Sequence, residues 1–322
     1  MATYLVTGGA GFIGSSIAEE LLKKGETVRI LDDFSTGRRQ NVESLPGKVE
    51  LFEGSIVDPA LVTRAVKGVD VVFHEAAIPS VARSVEAPQP SMLANVQGTT
   101  VVLDCARNAG VKRLVFAASS SAYGDTPTLP KVETMTPAPL SPYAVSKLTC
   151  EHLLQVFASL YGIETLNLRY FNVFGPRQDP KSEYAAVIPR FVTAAIRNER
   201  PVVYGDGEQT RDFCFIENVV AANLLGATTS SKLKGQVVNV ACGERISLNT
   251  LLRNIEGEAK KAGTLPAGAD WKADYKPGRA GDVRDSLASI EAAKNLIGYE
   301  PKVLVKEGLE RTFAAFLKFT AR

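Results

Sequence analysis

Metal-ligand clusters, an excess of either charge and long apolar runs are all missing from this 322-residue chain. Its two histidines, His74 and His152, and its four cysteines, Cys105, Cys150, Cys214 and Cys242, are scattered without a CxxC pair. That scatter excludes a structural zinc site and a disulfide framework, so no metal is expected. Lys and Arg total 37 against 35 Asp and Glu, far from the basic surplus of a nucleic-acid binder. No apolar stretch approaches the ~18 residues of a membrane-crossing helix, and the first residues lack a basic segment followed by an apolar one and a cleavage site. The expectation is a reduced, soluble, cytoplasmic protein with no nucleic-acid or membrane partner. Hydrophobic residues make up 45% of the chain, and at this size folding buries roughly three-quarters of the surface an unfolded chain exposes.

The first half alternates short β-branched runs with longer segments whose apolar residues recur at helical spacing, the rhythm of βαβ units. Strands are predicted at Tyr4–Thr7, Val28–Asp32, Val49–Phe52, Val69–His74, Leu114–Ser119 and Thr165–Tyr170. Helices are predicted over Ile17–Lys24, Pro59–Val66 and Val96–Ala109. Nearly continuous apolar strands belong to sheets covered on both faces, so the fold class is α/β with a doubly wound parallel sheet. After residue 175 Pro and Gly break the rhythm, at Gly175–Pro176, Asp179–Pro180, Gly205–Gly207 and Pro277–Gly278. Residues 1–175 are read as the sheet domain and 176–322 as a smaller, mixed α/β substrate domain. The two interleave, since Phe213–Thr228 resembles a strand end followed by an apolar helix returning to the sheet. Lys260–Tyr275 is expected to be a mobile surface loop.

Tyr4-Leu-Val-Thr-Gly-Gly-Ala-Gly-Phe-Ile-Gly14 runs from a strand through Gly8, Gly11 and Gly14 into a helix. A tight turn needs positive φ, a pyrophosphate needs bare backbone, and close helix–strand packing leaves no room for a Cβ. The GxxGxxG spacing is one residue wider than the usual dinucleotide fingerprint. Asp32, 18 residues past Gly14, ends the next strand, where a carboxylate accepts from an adenosine ribose and repels a 2′-phosphate. The sheet is therefore read as a Rossmann sheet that binds NAD, with Arg38 and Arg39 as solvated surface.

Ser141-Pro-Tyr-Ala-Val-Ser-Lys147 sets Tyr143 and Lys147 four apart, on one face of a helix started by proline. A phenol is a poor base at neutral pH. A cation about 4 Å away at an effective dielectric near 20 contributes roughly 4 kcal/mol, or about three pKa units, so Lys147 is expected to lower the Tyr143 pKa. A nicotinamide cation acts in the same direction. Upstream, Ser119, Ser120 and Ser121 end a strand. Ligands in open α/β sheets sit beyond such carboxyl ends, and any of the three hydroxyls can hold a substrate alcohol against the phenol.

Thr7–Gly14, Asp32, Asn95, Ser119–Gly124, Tyr143 with Lys147, Arg169-Tyr-Phe-Asn-Val-Phe-Gly175, Gly205–Gly207, Arg211–Phe213 and Arg279–Asp282 stand in the order of a known family. The chain resembles the extended short-chain dehydrogenase/reductases, and within them the nucleotide-sugar 4-epimerases, most closely the UDP-N-acetylglucosamine branch, which also carries the pattern seen here as Tyr184–Pro189. The resemblance implies that Ser119, Tyr143 and Lys147 are catalytic. It implies that NAD lies against Gly8, Gly11, Phe12, Ile13, Gly14, Asp32, Phe34, Ser35, Ser55, Ile56, Ala76, Ala77 and Asn95, besides Tyr143 and Lys147. A UDP-sugar substrate would meet Ser80, Ser119, Ser120, Tyr143, Asn172, Tyr204, Arg211, Arg279, Asp282 and Ser286.

Two departures bear on the sugar: galactose-specific relatives have lysine at the position of Pro79 and a serine run two residues longer. Ser286 stands where the family limits room for the 2-substituent, and a small side chain leaves space for an N-acetyl group. The implied reaction inverts C4 of UDP-GlcNAc to give UDP-GalNAc through a 4-keto sugar, with UDP-Glc and UDP-Gal as further substrates. The alternatives are a UDP-glucuronate 4-epimerase, for which Arg83 is the candidate carboxylate partner, a 4,6-dehydratase, and a non-catalytic NAD sensor. Dehydratases place Asp-Glu where Ser120 and Ser121 stand, and a sensor does not need Tyr143 with Lys147. The family also implies a homodimer formed through helices that include Val96–Ala109 and Leu148–Leu160.

Overall fold

The computed structural model describes residues 2–179, 186–278 and 283–320. Six strands open the chain: β1 (Thr3–Thr7), β2 (Thr27–Asp32), β3 (Glu50–Glu53), β4 (Val71–His74), β5 (Arg113–Ser119) and β6 (Glu164–Tyr170). With Gln236–Val240 they form one parallel seven-stranded sheet, in the order Gln236–Val240, β6, β5, β4, β1, β2, β3. The strand order reverses between β1 and β4, which leaves a crevice at their carboxyl ends, where α/β proteins of this topology bind ligands. Alternation along each strand feeds two apolar layers. Val6, Phe73, Val115 and Leu168 pack with Ile17 and Val219 on one face, while Leu5, Val72, Leu114 and Phe116 pack with Val102 and Leu154 on the other.

Local chemistry explains where the helices begin. Asp58 accepts from the N–H of Ala60 at 2.9 Å and of Leu61 at 3.3 Å, and Pro59 supplies a φ already suited to the first turn of Pro59–Val66. Ser141 caps the helix Pro142–Tyr161 by accepting from Ala144 N at 3.1 Å, and Gly162 ends it at φ 74°. The helix expected at Val96–Ala109 runs over Gly98–Asn108, after a π-helical turn at Leu93–Gln97.

The expected strands are all present, with ends displaced by one or two residues. The seventh, Gln-Val-Val-Asn-Val, is an addition: it is short, and its polar residues obscure a strand buried by its neighbours. It follows the helix Ile216–Thr228, which packs on the sheet face formed by Val115 and Leu168. Lys260–Tyr275 is not a free loop. Lys260 and Lys261 finish the helix Leu248–Lys261, Leu265 is buried, Trp271 Nε1 donates to Glu199 O at 2.8 Å, and Asp274–Lys276 pairs with Val202–Tyr204. Two apolar anchors among polar neighbours tie this segment down.

At the crevice, wholly buried His74 staples three elements. One ring nitrogen meets Thr7 Oγ1 at 2.7 Å and the other Thr99 Oγ1 at 2.9 Å. Burial, with Lys147 adding to it, pushes the His74 pKa down from 6.5 to about 3. A base depressed on folding stabilises the protein above its unfolded pKa and loses that contribution as the pH falls, because the unfolded chain takes up the proton first. Between about pH 7.5 and about pH 5 the stability advantage of wild type over His74→Gln therefore shrinks by about 2 kcal/mol in urea unfolding. A gap independent of pH would contradict a neutral, buried His74.

Candidate active site

Gly8 follows β1 with φ 69°, a region that side chains rarely adopt, and a Cβ there would lie 2.7 Å from Ala76 N. The loops after β1 and β4 therefore touch. A Cβ on Gly14 would run into the Gly8 carbonyl, which reflects helix packed against strand. Gly11 is different. Its φ is −74°, and a Cβ would meet a single atom, Gly8 O at 3.1 Å. The chain's own packing asks little of that position, whereas a pyrophosphate approaching the backbone asks for glycine. The helix Phe12–Lys23 has neither a side-chain cap nor an acidic residue in its first turn, so its N-terminal dipole is left for an anion. Phe12 and Ile13 pack back onto the core.

The ribose end is equally specific. Buried Asp32 accepts from Ala10 N at 2.9 Å through one oxygen and from Phe34 N at 2.8 Å through the other. Burial raises its pKa and these two backbone bonds lower it. A carboxylate offers about four acceptor positions, so ribose hydroxyls fit beside the two N–H groups. Arg39 pairs with Glu53 and stacks 4.2 Å from the Phe34 ring centroid, an arrangement that turns it from a 2′-phosphate. Exposed Ser35 donates its N–H to Asp33 at 2.9 Å, and Ser55 Oγ faces Val57 N at 3.4 Å. Ile56 is buried against the bare face of Gly98, and Ala76 and Ala77 are half-buried beyond β4. Asn95 is buried, and its amide accepts from Ile78 N at 2.8 Å and donates to Ser146 Oγ at 3.0 Å. In this chain Asn95 ties the β4 loop to the helix Pro142–Tyr161.

Tyr143 and Lys147 stand one turn apart on that helix. The Tyr143 phenol stands near Ser119 at the end of β5, close enough for that side chain to lower its pKa, and Ser119 Oγ accepts from Ser121 Oγ at 2.8 Å and Ser121 N at 3.2 Å. Ser119 is thus the serine of the run that acts on the phenol. Lys147 is 3% exposed, and its Nζ donates to Ala117 O at 2.7 Å and lies 4.7 Å from the Phe116 ring centroid. The expected drop in the phenol's pKa is not found. Burial pushes Tyr143 up to about 12, the Ser119 bond lowers it, and the Glu75 carboxylate raises it. Desolvation of the phenolate is the dominant effect, and the Lys147 ammonium is itself pushed down by burial.

Beyond β6 a cavity of about 280 Å³ is lined by Asn172, Tyr204 and Arg211, together with Phe174, Arg190, Phe191 and Gln209. Arg211 Nη1 donates to Thr210 O and Arg284 O, each at 2.9 Å, and Asn172 Nδ2 donates to Asp212 O at 3.0 Å. Ser80, Ser120 and Ser286 are not in this wall. Ser80 caps the short helix Val81–Glu86, Ser120 opens a single turn after β5, and buried Ser286 donates its N–H to Thr210 O at 3.1 Å beside Arg211. Tyr184, Arg279 and Asp282 lie outside the described residues.

Several supporting groups were not singled out from the sequence. Buried Ser84 accepts from Tyr143 N at 3.0 Å. Glu151, four residues beyond Lys147, holds Arg169 with a bidentate pair at 2.9 and 2.7 Å, both side chains buried. An acid at the same four-residue spacing as Tyr143 and Lys147 was the available signal. Asp212, fully buried, accepts from Cys242 N, Gly243 N and Ala288 N at 2.9–3.2 Å and is pushed up to about 7 by burial. Nothing in its spacing distinguishes it from a surface aspartate. No group of metal-binding side chains occurs among the described residues, and none of their helices is long and apolar enough to cross a membrane.

A glycine-turned dinucleotide cradle and a Ser–Tyr–Lys group on one parallel sheet define an NAD-dependent enzyme of the extended short-chain dehydrogenase/reductase class. The chain belongs to the NAD dependent epimerase/dehydratase family, whose pattern matches residues 4–241. It is 39% identical over 309 residues to a putative UDP-glucose 4-epimerase of Methanocaldococcus jannaschii, covering 95% of this chain and 96% of that one. Among solved structures it resembles a UDP-N-acetylglucosamine 4-epimerase of Methanobrevibacter ruminantium in complex with UDP-N-acetylmuramic acid, at a TM-score of 0.91 and 36% identity over 99% of both chains. A UDP-glucose 4-epimerase of Thermotoga maritima with UDP-glucose gives the same TM-score, identity and coverage.

Removing one member of a buried ion pair leaves the other unpaired, at a cost of about 3–5 kcal/mol. Glu151→Ala is accordingly expected to lose about that much stability in urea unfolding, and a loss below about 1 kcal/mol would show that Arg169 finds another partner.

Proposed function

We propose that this protein is an NAD-dependent UDP-sugar 4-epimerase whose main substrates are UDP-GlcNAc and UDP-GalNAc, with UDP-Glc and UDP-Gal turned over as well. The observation that carries the reading is the placing of Tyr143, on the helix it shares with Lys147, beside Ser119 at the carboxyl end of β5, on the same sheet as the glycine cradle and with a cavity bearing Arg211 and Arg190 beyond β6. When bound, NAD+ supplies reversible two-electron chemistry at the sugar carbon and a positive charge that favours the phenolate. Tyr143 takes the proton of the 4-hydroxyl and returns one to the 4-keto oxygen, Ser119 aligns that oxygen, and Lys147 supplies the ammonium of the same cluster. The sugar presents its opposite face between the two half-reactions, so one centre is inverted with no net redox change. Arginines and Tyr204 suit a uridine diphosphate, by paired N–H donors and by ring stacking.

The N-acetyl preference rests on Ser286, together with Pro79 and the short serine run. Ser286 is buried beside the strand that carries Arg211, where a bulky side chain competes with a 2-substituent. A homodimer is part of the same proposal. Val145, Val156 and Leu160 are 41%, 48% and 68% exposed on the outer face of Pro142–Tyr161, and Leu93 is 56% exposed. Their spacing forms one apolar stripe, fit to meet its copy, and light scattering in solution tests it. Arg279 and Asp282 are proposed to hold the nucleotide, and the cytoplasm is the proposed location.

Incubation with UDP-GlcNAc and separation of nucleotide sugars tests the activity: UDP-GalNAc is expected, whereas a 4-keto-6-deoxy product would indicate a dehydratase and no product a sensor. Conversion confined to UDP-glucuronate would select that epimerase instead. Tyr143→Phe is expected to lower kcat at least ~100-fold, the scale of general-base catalysis, and retained turnover would remove Tyr143 from that role. Ser286→Tyr is expected to suppress the N-acetylated reaction more than the plain hexose one; equal losses would defeat the steric argument.

A further inference from the structure

His74 has no part in the proton transfers above, yet it lies wholly buried at the end of β4, in register with Thr7 of β1, where the strand order reverses and the crevice opens. Its two ring bonds have a direction, and the threonine hydroxyls fix it. Thr99 Oγ1 lies 2.6 Å from Asn95 O, and a carbonyl can only accept, so the single hydroxyl hydrogen of Thr99 is committed there. Toward His74 the same oxygen can only accept, across 2.9 Å, which places the ring hydrogen on Nε2. In a neutral ring Nδ1 is then bare. Thr7 Oγ1 therefore donates to Nδ1 across 2.7 Å and keeps a lone pair for Ala76 N at 3.3 Å.

The result is one unbroken run of donors and acceptors, from the Ala76 N–H through Thr7, His74 and Thr99 to the Asn95 carbonyl. All four side-chain-bearing members between Thr7 and Asn95 are buried, so water does not compete for these bonds. Each end of the run fixes one wall of the crevice. At one end Thr7 precedes Gly8, its carbonyl also accepts from Glu75 N at 3.1 Å, and the Ala76 backbone lies against the bare face of Gly8. At the other end Asn95 accepts from Ile78 N at 2.8 Å and so holds the far side of the same loop. A neutral imidazole offers a donor and an acceptor on opposite sides of a rigid plane, which makes the spacing between these elements a fixed one.

We propose that His74, held as its Nε2–H tautomer, is a positioning residue for NAD: the run it completes sets the distance between the glycine turn and the loop after β4, and with it the width of the crevice that receives the dinucleotide. This rests on NAD lying between those two loops. Bonds in such a run strengthen one another in a low dielectric, and removing one member leaves its neighbour buried without a partner. NAD then meets walls that it must first bring into register, and the cost falls on its affinity.

Two measurements on the full-length protein test the proposal, and neither needs turnover. The chain has two histidines, and His152 is exposed, so His152→Gln leaves a single imidazole whose nitrogen and ring-proton NMR correlations belong to His74. At neutral pH they are expected to show hydrogen on Nε2 and a bare Nδ1. Hydrogen on Nδ1, or on both nitrogens, overturns the proposal. The second measurement is calorimetric binding of NAD to protein freed of nucleotide. Thr99→Val keeps the side chain's shape but removes both the acceptor for Nε2–H and the donor to Asn95 O, and NAD is expected to bind on the order of tenfold more weakly. Thr99→Ser is expected to restore the affinity. An unchanged affinity in Thr99→Val, the result for a merely structural histidine, overturns the proposal. Gly11→Val separates that failure from failure of the premise: if it abolishes NAD binding while Thr99→Val does not weaken it, the role of His74 alone falls, whereas unchanged binding in Gly11→Val shows that NAD does not lie against the glycine turn, and the proposal falls with it. Should Thr99→Val fail to fold, Thr7→Val is measured in its place, with the same expected and overturning results.

Discussion

Holding the half-buried Tyr143 phenol beside Ser119, at the carboxyl end of β5, is the constraint to which the surrounding chemistry is fitted. A desolvated phenolate is costly, and the pKa of Tyr143 rises to about 12 as a result. Ser119 answers that cost in part by lowering the pKa, while the like charge of the Glu75 carboxylate adds to it. The chain alone therefore holds Tyr143 in its protonated form at neutral pH, and its proposed role as base draws on the charge that oxidised NAD would contribute. The same pocket accounts for the neutrality of His74, which sits one residue from Glu75 but on the other face of the sheet, bonded to two threonines.

Precision at the phenol comes from groups that never reach the substrate region. Ser84 holds the Tyr143 backbone, Asn95 joins the β4 loop to Ser146 on the same helix, and Glu151 anchors that helix to β6 through Arg169. On the nucleotide side, Asp212 gathers three backbone N–H groups from separate segments and thereby sets the strand that bears Arg211. Fixed elements with satisfied hydrogen bonds hold a constellation more tightly than loops do, which matters when small displacements alter proton transfer.

Much of the fold was legible because parallel strands covered on both faces must be apolar along their length, and turns between them must carry particular residues. Val71–His74 and Leu114–Ser119 declare themselves in that way, as do Pro59 after Asp58 and Pro142 after Ser141. The strand Gln236–Val240 was not legible, since Gln and Asn interrupt its apolar run and burial is supplied by β6 and the helix Ile216–Thr228. Lys260–Tyr275 misled for a related reason: Leu265 and Trp271 are too few to read as an element, yet they are enough to pin the segment.

By itself the sequence determined the glycine turn, the carboxylate at the end of β2 and the four-residue spacing of Tyr143 and Lys147, because each is a local requirement of backbone geometry or helix periodicity. Tertiary structure alone decided the electrostatics. Which serine stands beside the phenol and where the Lys147 ammonium points depend on strands distant in sequence meeting at one end of the sheet. Proton affinity follows from desolvation and from charges brought together in space, and neither is encoded in the spacing of residues along the chain.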